Sequence, residues 1–143
     1  MTPGNRLLPI LGQVNRRFWT SGSDGILRIC RCQSCGHWLH PPGLMCPKCR
    51  SRNLSWEPTC GKAQVFSFTI NQRTWKSDVP GPYVIAIVEL PEQEGLRMTS
   101  NVINCEVEGV YIGMPLRVTF ERNGETYIPL FTPDRTSKTG SAE

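Results

Sequence analysis

The chain of 143 residues has room for one ordinary domain, or for a small domain with a metal-stabilised appendage. Its twelve prolines and thirteen glycines favour turns and short strands, and no apolar run approaches the roughly 18 residues of a membrane span. The formal net charge of +4 is uneven: residues 1–62 carry nine Lys and Arg against two acids, a net of +7, whereas residues 63–143 carry seven against ten, a net of −3.

The basic half of the chain predicts contact with phosphate groups, nucleic acid or an acidic partner, although charges scattered around a metal site explain it equally well. The first twelve residues show no signal-peptide pattern, which predicts a cytoplasmic protein with reduced thiols. Seven cysteines, an odd number, then favour metal binding over a disulfide framework.

The first segment, residues 6–21, predicts an amphipathic helix. One stripe carries apolar side chains at spacings of four, three and four residues: Leu7, Leu11, Val14 and Phe18. Further apolar residues lie beside this stripe, so the helix has more apolar surface than one small neighbour needs. We therefore expect residues 1–25 to form a helical docking segment, with an ordinary core-capping helix as the alternative.

Residues 26–58 carry two Cys-x-x-Cys pairs separated by ten residues: Cys32 with Cys35 and Cys46 with Cys49. Two such turns supply four thiolates, which bind Zn²⁺ in a tetrahedron at about 2.3 Å. The segment has few aliphatic residues, so we expect a zinc ribbon in which metal binding replaces a hydrophobic core. Four thiolates leave no position for water, which predicts a structural zinc, with iron in a rubredoxin-like site as the alternative metal.

The remaining histidines and cysteines are assigned neither to the metal site nor to catalysis. His37 and His40 compete as metal ligands, but the four cysteines are better spaced, and Cys30 is left outside the ligand set. Cys60 and Cys105 have no nearby histidine with a supporting carboxylate, so both are interpreted as structural or incidental. No catalytic residue is predicted.

Residues 59–132 are predicted to form a succession of short strands. Residues 83–90 are a continuous β-rich run typical of a buried strand, and Asn123-Gly124 is a hairpin signal. Five strands in about 70 residues predict a small barrel, with an OB-type Greek-key barrel as the leading candidate. Residues 133–143 lack a large apolar anchor and are predicted to be a disordered tail. The expected fold is mainly β: an N-terminal helix, a rubredoxin-like zinc ribbon and a small OB-fold barrel.

The whole pattern resembles the DUF35 family of zinc-ribbon plus OB-fold proteins. The similarity covers about residues 10–132, and its motifs are, in chain order, Phe18-Trp19, Arg31-Cys32-x2-Cys35-Gly36, Pro41-Pro42, Cys46-Pro47-x-Cys49, Val65 to Thr69, Pro82 to Leu90 and Ile112 to Val118. Ala63 departs from the family pattern, because a second glycine of a Gly-x-Gly-like stretch is often found there. The departure affects how the chain enters the first barrel strand and not the assignment.

The resemblance implies a non-catalytic accessory subunit of a thiolase-fold acyl-CoA enzyme, which is a thiolase, an acyltransferase or an aldolase. The N-terminal segment and the ribbon would dock or stabilise the partner in a hetero-tetramer, and the barrel would help to shape the acyl-CoA site. The alternative function is a single-stranded nucleic-acid-binding module, since zinc ribbons and OB barrels both serve that purpose. The net negative barrel disfavours it.

Two sets of residues are expected to make these contacts. Apolar and aromatic anchors dominate interfaces, so partner contacts are expected at Leu11, Val14, Phe18 and Trp19. An arginine guanidinium binds phosphate through two parallel hydrogen bonds. The candidate contacts to a CoA phosphate are therefore Arg28, Arg31, Arg50 and Arg52.

Overall fold

A computed structural model describes residues 9–12, 15–72 and 82–134. Within these ranges a short helix is followed by a three-stranded sheet and then by a closed five-stranded barrel. This arrangement confirms the predicted fold class. None of the helices in the described ranges is long and apolar enough to cross a membrane.

The N-terminal helix is much shorter than the predicted span of residues 6–21. The helix α1 runs over Arg16–Thr20 and is followed by a 3-10 turn over Ser21–Asp24. Leu7 and Val14, two members of the predicted apolar stripe, lie outside the described residues.

The side chain of Asn15 explains where the helix begins. Residues 9–12 are irregular, and the N–H of Gly12 donates to Asn15 Oδ1 at 2.7 Å, while Asn15 Nδ2 donates to the carbonyl of Ile10 at 3.2 Å. Asparagine side chains that bind nearby backbone in this way replace the hydrogen bonds of a helix. The long helix predicted from apolar spacing is therefore wrong for residues 9–12.

The ribbon is an antiparallel sheet of three strands in the order β2-β1-β3. The central strand pairs Cys30 with Leu39 on one side and with Trp56 on the other. Its strands are β1 (Arg28–Cys32), β2 (Trp38–Leu39) and β3 (Leu54–Pro58).

The barrel closes in the order β4-β5-β6-β8-β7, with a parallel contact between β6 and β8 and antiparallel pairs elsewhere. Its last two strands meet in the predicted hairpin, where Asn123 pairs with Thr126 and Gly124 takes a φ of +64°. The strands are β4 (Lys62–Asn71), β5 (Tyr83–Glu89), β6 (Arg97–Val102), β7 (Pro115–Asn123) and β8 (Thr126–Pro133).

The barrel extends two residues into the predicted tail. Pro133 is the last residue of β8, and Asp134 is 3% exposed. The Asp134 carboxylate lies 3.7 Å from Lys62 Nζ and 3.5 Å from Arg117 Nη2. The expectation of disorder is wrong for these two residues, because Pro133 pairs with Leu116, the Asp134 N–H donates to the Pro115 carbonyl at 3.0 Å and the Asp134 carboxylate is ion-paired. Residues 135–143 lie outside the described part.

A single apolar core joins the ribbon to the barrel. Leu27, Ile29 and Trp38 belong to the same buried cluster as Val88 and Phe131 of the barrel. The ribbon's own cluster contains three cysteines and one leucine, which agrees with the expectation that it has almost no core. The ribbon and the barrel therefore pack as one body.

The loop between β5 and β6 adds a polar link to this core. The side chain of Gln93 accepts the Trp38 N–H at 2.9 Å and donates to the Trp38 carbonyl at 3.0 Å. A side-chain amide thus supplies both hydrogen bonds that a neighbouring strand would give to the edge of β2. In the same loop, Glu92 accepts the N–H of Cys60 at 2.7 Å.

Replacement of Gly22 by alanine tests the contact between the 3-10 turn and the barrel. A Cβ at Gly22 would lie 2.5 Å from Cε2 of Phe120, whereas a Cβ at Gly109 meets no atom within 4 Å. We expect Gly22→Ala to lower the free energy of unfolding by about 1–3 kcal/mol through overpacking. Gly109→Ala, the control, should change it by less than about 0.5 kcal/mol. Urea denaturation measures both, and equal stabilities of the two variants would contradict this packing.

Candidate metal centre and adjoining cleft

Two tight turns present the four predicted cysteines. In the first, the N–H groups of Ser34 and Cys35 each donate to Cys32 Sγ at 3.4 Å. In the second, the Lys48 N–H donates to Cys46 Sγ at 3.4 Å. These amide donors stabilise thiolates, and the pKa of Cys32 falls to about 6, chiefly through the Cys35 N–H.

The residue that follows each Cys-x-x-Cys pair has a left-handed backbone. Gly36 takes a φ of +83° and Arg50 a φ of +66°. Their N–H groups donate to the carbonyls of Cys32 at 3.0 Å and Cys46 at 2.9 Å, so the two turns are alike. Glycine at the first position is a sequence signal for this conformation, whereas arginine at the second is not.

The sulfur positions fit a tetrahedral metal. All four Sγ atoms lie within 4.8 Å of one another, with Cys32 and Cys49 at 3.5 Å and Cys35 and Cys46 at 3.6 Å. Ligands at about 2.3 Å in a tetrahedron would place sulfurs about 3.8 Å apart. The four thiols therefore form a metal-binding cluster of zinc-ribbon type. When bound, a divalent ion would cross-link the two turns.

The cluster has a buried and an exposed side. Cys32 and Cys46 are buried, whereas Cys35 and Cys49 are exposed. Cys30 is also buried in the ribbon's core beside them, and desolvation raises its pKa. In the described residues the cluster contains cysteines alone.

The two histidines lie outside the sulfur cluster. His37 uses its carbonyl to accept the Cys32 N–H at 2.8 Å. His40 packs its ring 5.0 Å from that of Phe18, and burial lowers its pKa. Neither ring belongs to the metal-binding group, as the spacing predicted.

Two of the four arginines predicted to bind phosphate make contacts with other residues of this chain. Arg28 forms a bidentate pair with Asp24, at 2.8 and 3.0 Å, which lowers the pKa of Asp24 to about 2. Arg31 donates from Nε to the Gly36 carbonyl at 2.9 Å, and its guanidinium lies 4.7 Å from the Trp38 ring centre. The other two, Arg50 and Arg52, are exposed.

Part of the positive charge of the ribbon would be balanced by the negative charge of the four thiolates and their metal ion. Residues 28–53 contain five Lys and Arg and no acid. Four thiolates around a divalent ion carry a charge of −2, because −4 and +2 sum to −2. The metal-loaded ribbon would therefore hold +5 −2 = +3, which weakens the charge argument for a phosphate site.

The predicted partner anchors have different environments. Phe18 is 5% exposed and packs against Trp19, Trp56 and His40. It is therefore a core residue of this chain, whereas we expected it to contact a partner. Trp19 is half-buried, as is Leu11, while Val14 lies outside the described residues.

A cleft of about 740 Å³, here called the seam cleft, opens beside the ribbon. It lies between the N-terminal segment, the ribbon turn after β2 and strands β5, β6 and β8. Sequence reasoning missed it, because no local pattern indicates that these separate segments meet. Its lining includes Pro9, Trp19, His40, Pro41, Pro42, Tyr83, Ile85, Arg97, Thr99, Ile128 and Leu130.

Comparison with known proteins yields matches along most of the chain. Residues 19–55 match the ChsH2 rubredoxin-like zinc ribbon domain, and residues 56–121 match the ChsH2 C-terminal OB-fold domain. A chain of the solved Ltp2-ChsH2(DUF35) aldolase superposes with a TM-score of 0.79 at 30% identity, covering 88% of this chain and 98% of that one.

Two curated relatives are longer than the region they share with this chain. A probable enoyl-CoA hydratase alpha subunit of Thermomonospora curvata is 31% identical over 87% of this chain and 39% of its own length. A DUF35 domain-containing scaffold protein of Methanocaldococcus jannaschii is 38% identical over 64% of this chain and 65% of its own length. The chain thus spans less than two thirds of either relative.

Replacement of Cys46 tests the metal centre. The wild-type chain is expected to hold one zinc ion. We expect Cys46→Ser to weaken zinc binding by more than about 100-fold. Loss of a residue that only supports a metal ligand already costs up to about 100-fold, and Cys46 is itself a ligand. The exposed Cys60, which is not in the cluster, provides the control, and Cys60→Ser should keep the full zinc content. Elemental analysis after dialysis measures this, and iron in place of zinc, or equal zinc in both variants, would contradict the assignment.

Chelation tests whether the metal replaces a core in the ribbon. At neutral pH we expect metal removal to expose the backbone amides of residues 28–58 while the strands β4 to β8 remain protected, because metal binding in such modules is folding energy. Hydrogen exchange measures both regions. Unchanged protection of the ribbon after verified metal removal would contradict the expectation.

Proposed function

This chain belongs to the DUF35 family of zinc-ribbon and OB-fold proteins, as its motifs indicated, and on that basis we propose that it is a non-catalytic accessory subunit of a thiolase-fold acyl-CoA enzyme. Zinc is the proposed structural metal. The partner would be a thiolase, an acyltransferase or an aldolase, in a cytoplasmic hetero-tetramer. The observation that carries the proposal is the similarity to a chain of the Ltp2-ChsH2(DUF35) aldolase, which this chain covers over 98% of its length.

The closed metal cluster supports a structural part in such a complex. Four thiolates complete a tetrahedron and leave no position where a substrate oxygen would bind. The shared core and the bidentate contact of Gln93 with Trp38 hold the ribbon against the barrel. A rigid scaffold of this kind suits a subunit that fixes the shape of a partner.

The seam cleft supports a role beside an acyl-CoA site. Its lining is mostly apolar, and among the described residues that line it Arg97 is the only one with a full charge. A cleft of about 740 Å³ is in the usual range for sites that hold small organic ligands. Placed against the partner, this surface would complete the apolar wall of the acyl-CoA path.

The alternative, a nucleic-acid-binding module, meets an obstacle at the exposed barrel surface. Phe66 is 42% exposed and is a candidate stacking platform. The guanidinium of Arg97 already lies 3.7 Å from the centre of its ring, and Glu89 contacts Arg97 at 3.4 Å. Titration with single-stranded oligonucleotide at low salt is the direct comparison, and we expect no salt-dependent binding.

The complex itself provides the main test. We expect the full chain, purified from its native cell, to carry a thiolase-fold subunit identified by mass spectrometry. The partner should account for the acyl-CoA activity, and its stability or activity should fall when the chain is removed. Absence of any thiolase-fold chain from the purified material would overturn the proposal.

Trp19 tests the docking surface within that complex. This half-buried indole lines the seam cleft, and aromatic anchors of this kind often carry more than 1.4 kcal/mol of binding energy. We expect Trp19→Ala to raise the dissociation constant by about tenfold or more. Tyr111→Ala is the matched control, because Tyr111 is 50% exposed and does not line the cleft. Equal affinity of both variants would remove Trp19 from the interface.

A further inference from the structure

The second cysteine turn carries an exposed patch of basic and apolar side chains. The turn is residues 44–52, here called the basic turn. Leu44 is 73% exposed and Met45 is 40% exposed. In the ranges that the structure describes, none of the cations of this turn is ion-paired. The exposed apolar and basic residues are Leu44, Met45, Pro47, Lys48, Arg50 and Arg52.

Arg50 has a backbone conformation that favours glycine. Its φ is +66°, and Gly36, the equivalent residue after the first pair of cysteines, has a φ of +83°. The N–H of each residue donates to the carbonyl of the first cysteine of its pair, so the two turns require the same backbone. The left-handed conformation costs energy for a residue with a side chain, and such residues often lie at functional sites. The turn itself therefore does not require an arginine, which indicates that the Arg50 side chain serves a contact outside the turn.

The basic turn is held in one shape before any partner binds. The Cys46 N–H donates to the Ser51 carbonyl at 2.9 Å, and the hydroxyls of Ser51 and Ser34, which lies in the first turn, are hydrogen-bonded at 2.8 Å. A metal ion held by the four cysteines would join the same two turns. A surface that is fixed in this way loses little conformational entropy on binding.

The combination of charge and apolar surface indicates what binds the basic turn. Residues 28–53 contain five Lys and Arg and no acid, so the complementary surface is acidic. A phosphate group or a nucleic-acid backbone would match the cations but would leave Leu44 and Met45 in water. A protein surface with carboxylates around an apolar depression matches both features. Methionine suits such a contact, because its flexible thioether adapts to an irregular surface.

We propose that the basic turn docks on the thiolase-fold subunit, at an apolar depression whose rim carries carboxylates. Leu44 and Met45 fill the depression, and the cations of the turn pair with the carboxylates around it. Charged groups at the rim of an interface set its orientation and speed association, while the apolar centre supplies most of the affinity. This inference rests on the proposed function and adds a surface by which the partner is held.

Replacement of Arg50 in the full zinc-loaded chain tests the charged part of this surface. Arg50→Gly introduces the residue that the first turn uses, so the zinc content should be unchanged and the unfolding temperature should not fall. Both Arg50→Gly and Arg50→Gln should raise the dissociation constant for the co-purified thiolase-fold subunit by at least about fivefold. Arg122→Gln is the matched control, because Arg122 is exposed in the hairpin of β7 and β8, and it should stay within about twofold.

Equal affinities of Arg50→Gln and Arg122→Gln for the subunit would overturn the proposal. Higher ionic strength should weaken the unmodified complex more than the Arg50→Gln complex, because salt screens exposed charges. The same salt dependence in both complexes would also count against a charge contact at Arg50.

Replacement of Leu44 tests the apolar part. Leu44→Ser should raise the dissociation constant by at least about fivefold and should leave the salt dependence unchanged. Ile112→Ser is the control, because Ile112 is 67% exposed and lies outside the basic turn, and it should stay within about twofold. Equal affinities of these two variants would refute the apolar depression.

The outcomes separate this inference from its alternatives and from the proposed function. Loss of zinc from Arg50→Gln with unchanged affinity for the subunit would assign the cation to charge balance around the exposed Cys49 and refute the proposal. Weaker binding of free CoA to Arg50→Gln, again with unchanged affinity for the subunit, would assign it to a phosphate and also refute the proposal. A complex that tolerates every substitution refutes this docking surface and leaves the accessory role standing. Absence of a thiolase-fold subunit refutes both.

Discussion

The bonding of four cysteine sulfurs around one metal ion is the constraint on which the ribbon depends. The sheet formed by β1, β2 and β3 has a core of three cysteines and one leucine, together with partly buried flanking side chains. Such a cluster buries too little apolar surface to offset the entropy of ordering its residues. A metal ion held by the four cysteines would close the two turns on each other and would supply the missing folding energy. The amide donors to Cys32 and Cys46 favour the thiolate state that this bonding requires.

Packing against the barrel fixes the position of the metal-binding ribbon. Trp38 is a member of the barrel's core while its backbone is held by the side chain of Gln93. Phe18 closes the same junction from the N-terminal side. Three contacts, one apolar, one polar and one aromatic, therefore fix the ribbon relative to the barrel.

The parts of this fold that depend on local pattern were predicted from the sequence. Cysteine spacing indicated the metal cluster, and alternating apolar residues indicated the barrel strands. The parts that depend on contacts between distant residues were not. Asn15 shortens the helix through its side chain, Phe18 turns into the core, and Asp134 is held by cations from two other strands. The seam cleft combines five segments that are distant in the sequence, and the spacing of apolar residues does not indicate which of them meet.

The metal and the seam cleft are linked through one short turn. His40, Pro41 and Pro42 leave β2 and form a wall of the cleft before the chain returns to the second pair of cysteines. The ring of His40 packs on Phe18, which anchors that wall to the N-terminal segment. If the thiolates were released, the turn would lose one of its two fixed ends and the wall would no longer be positioned over β6. A metal that takes no part in chemistry would thus control the shape of the seam cleft through this turn.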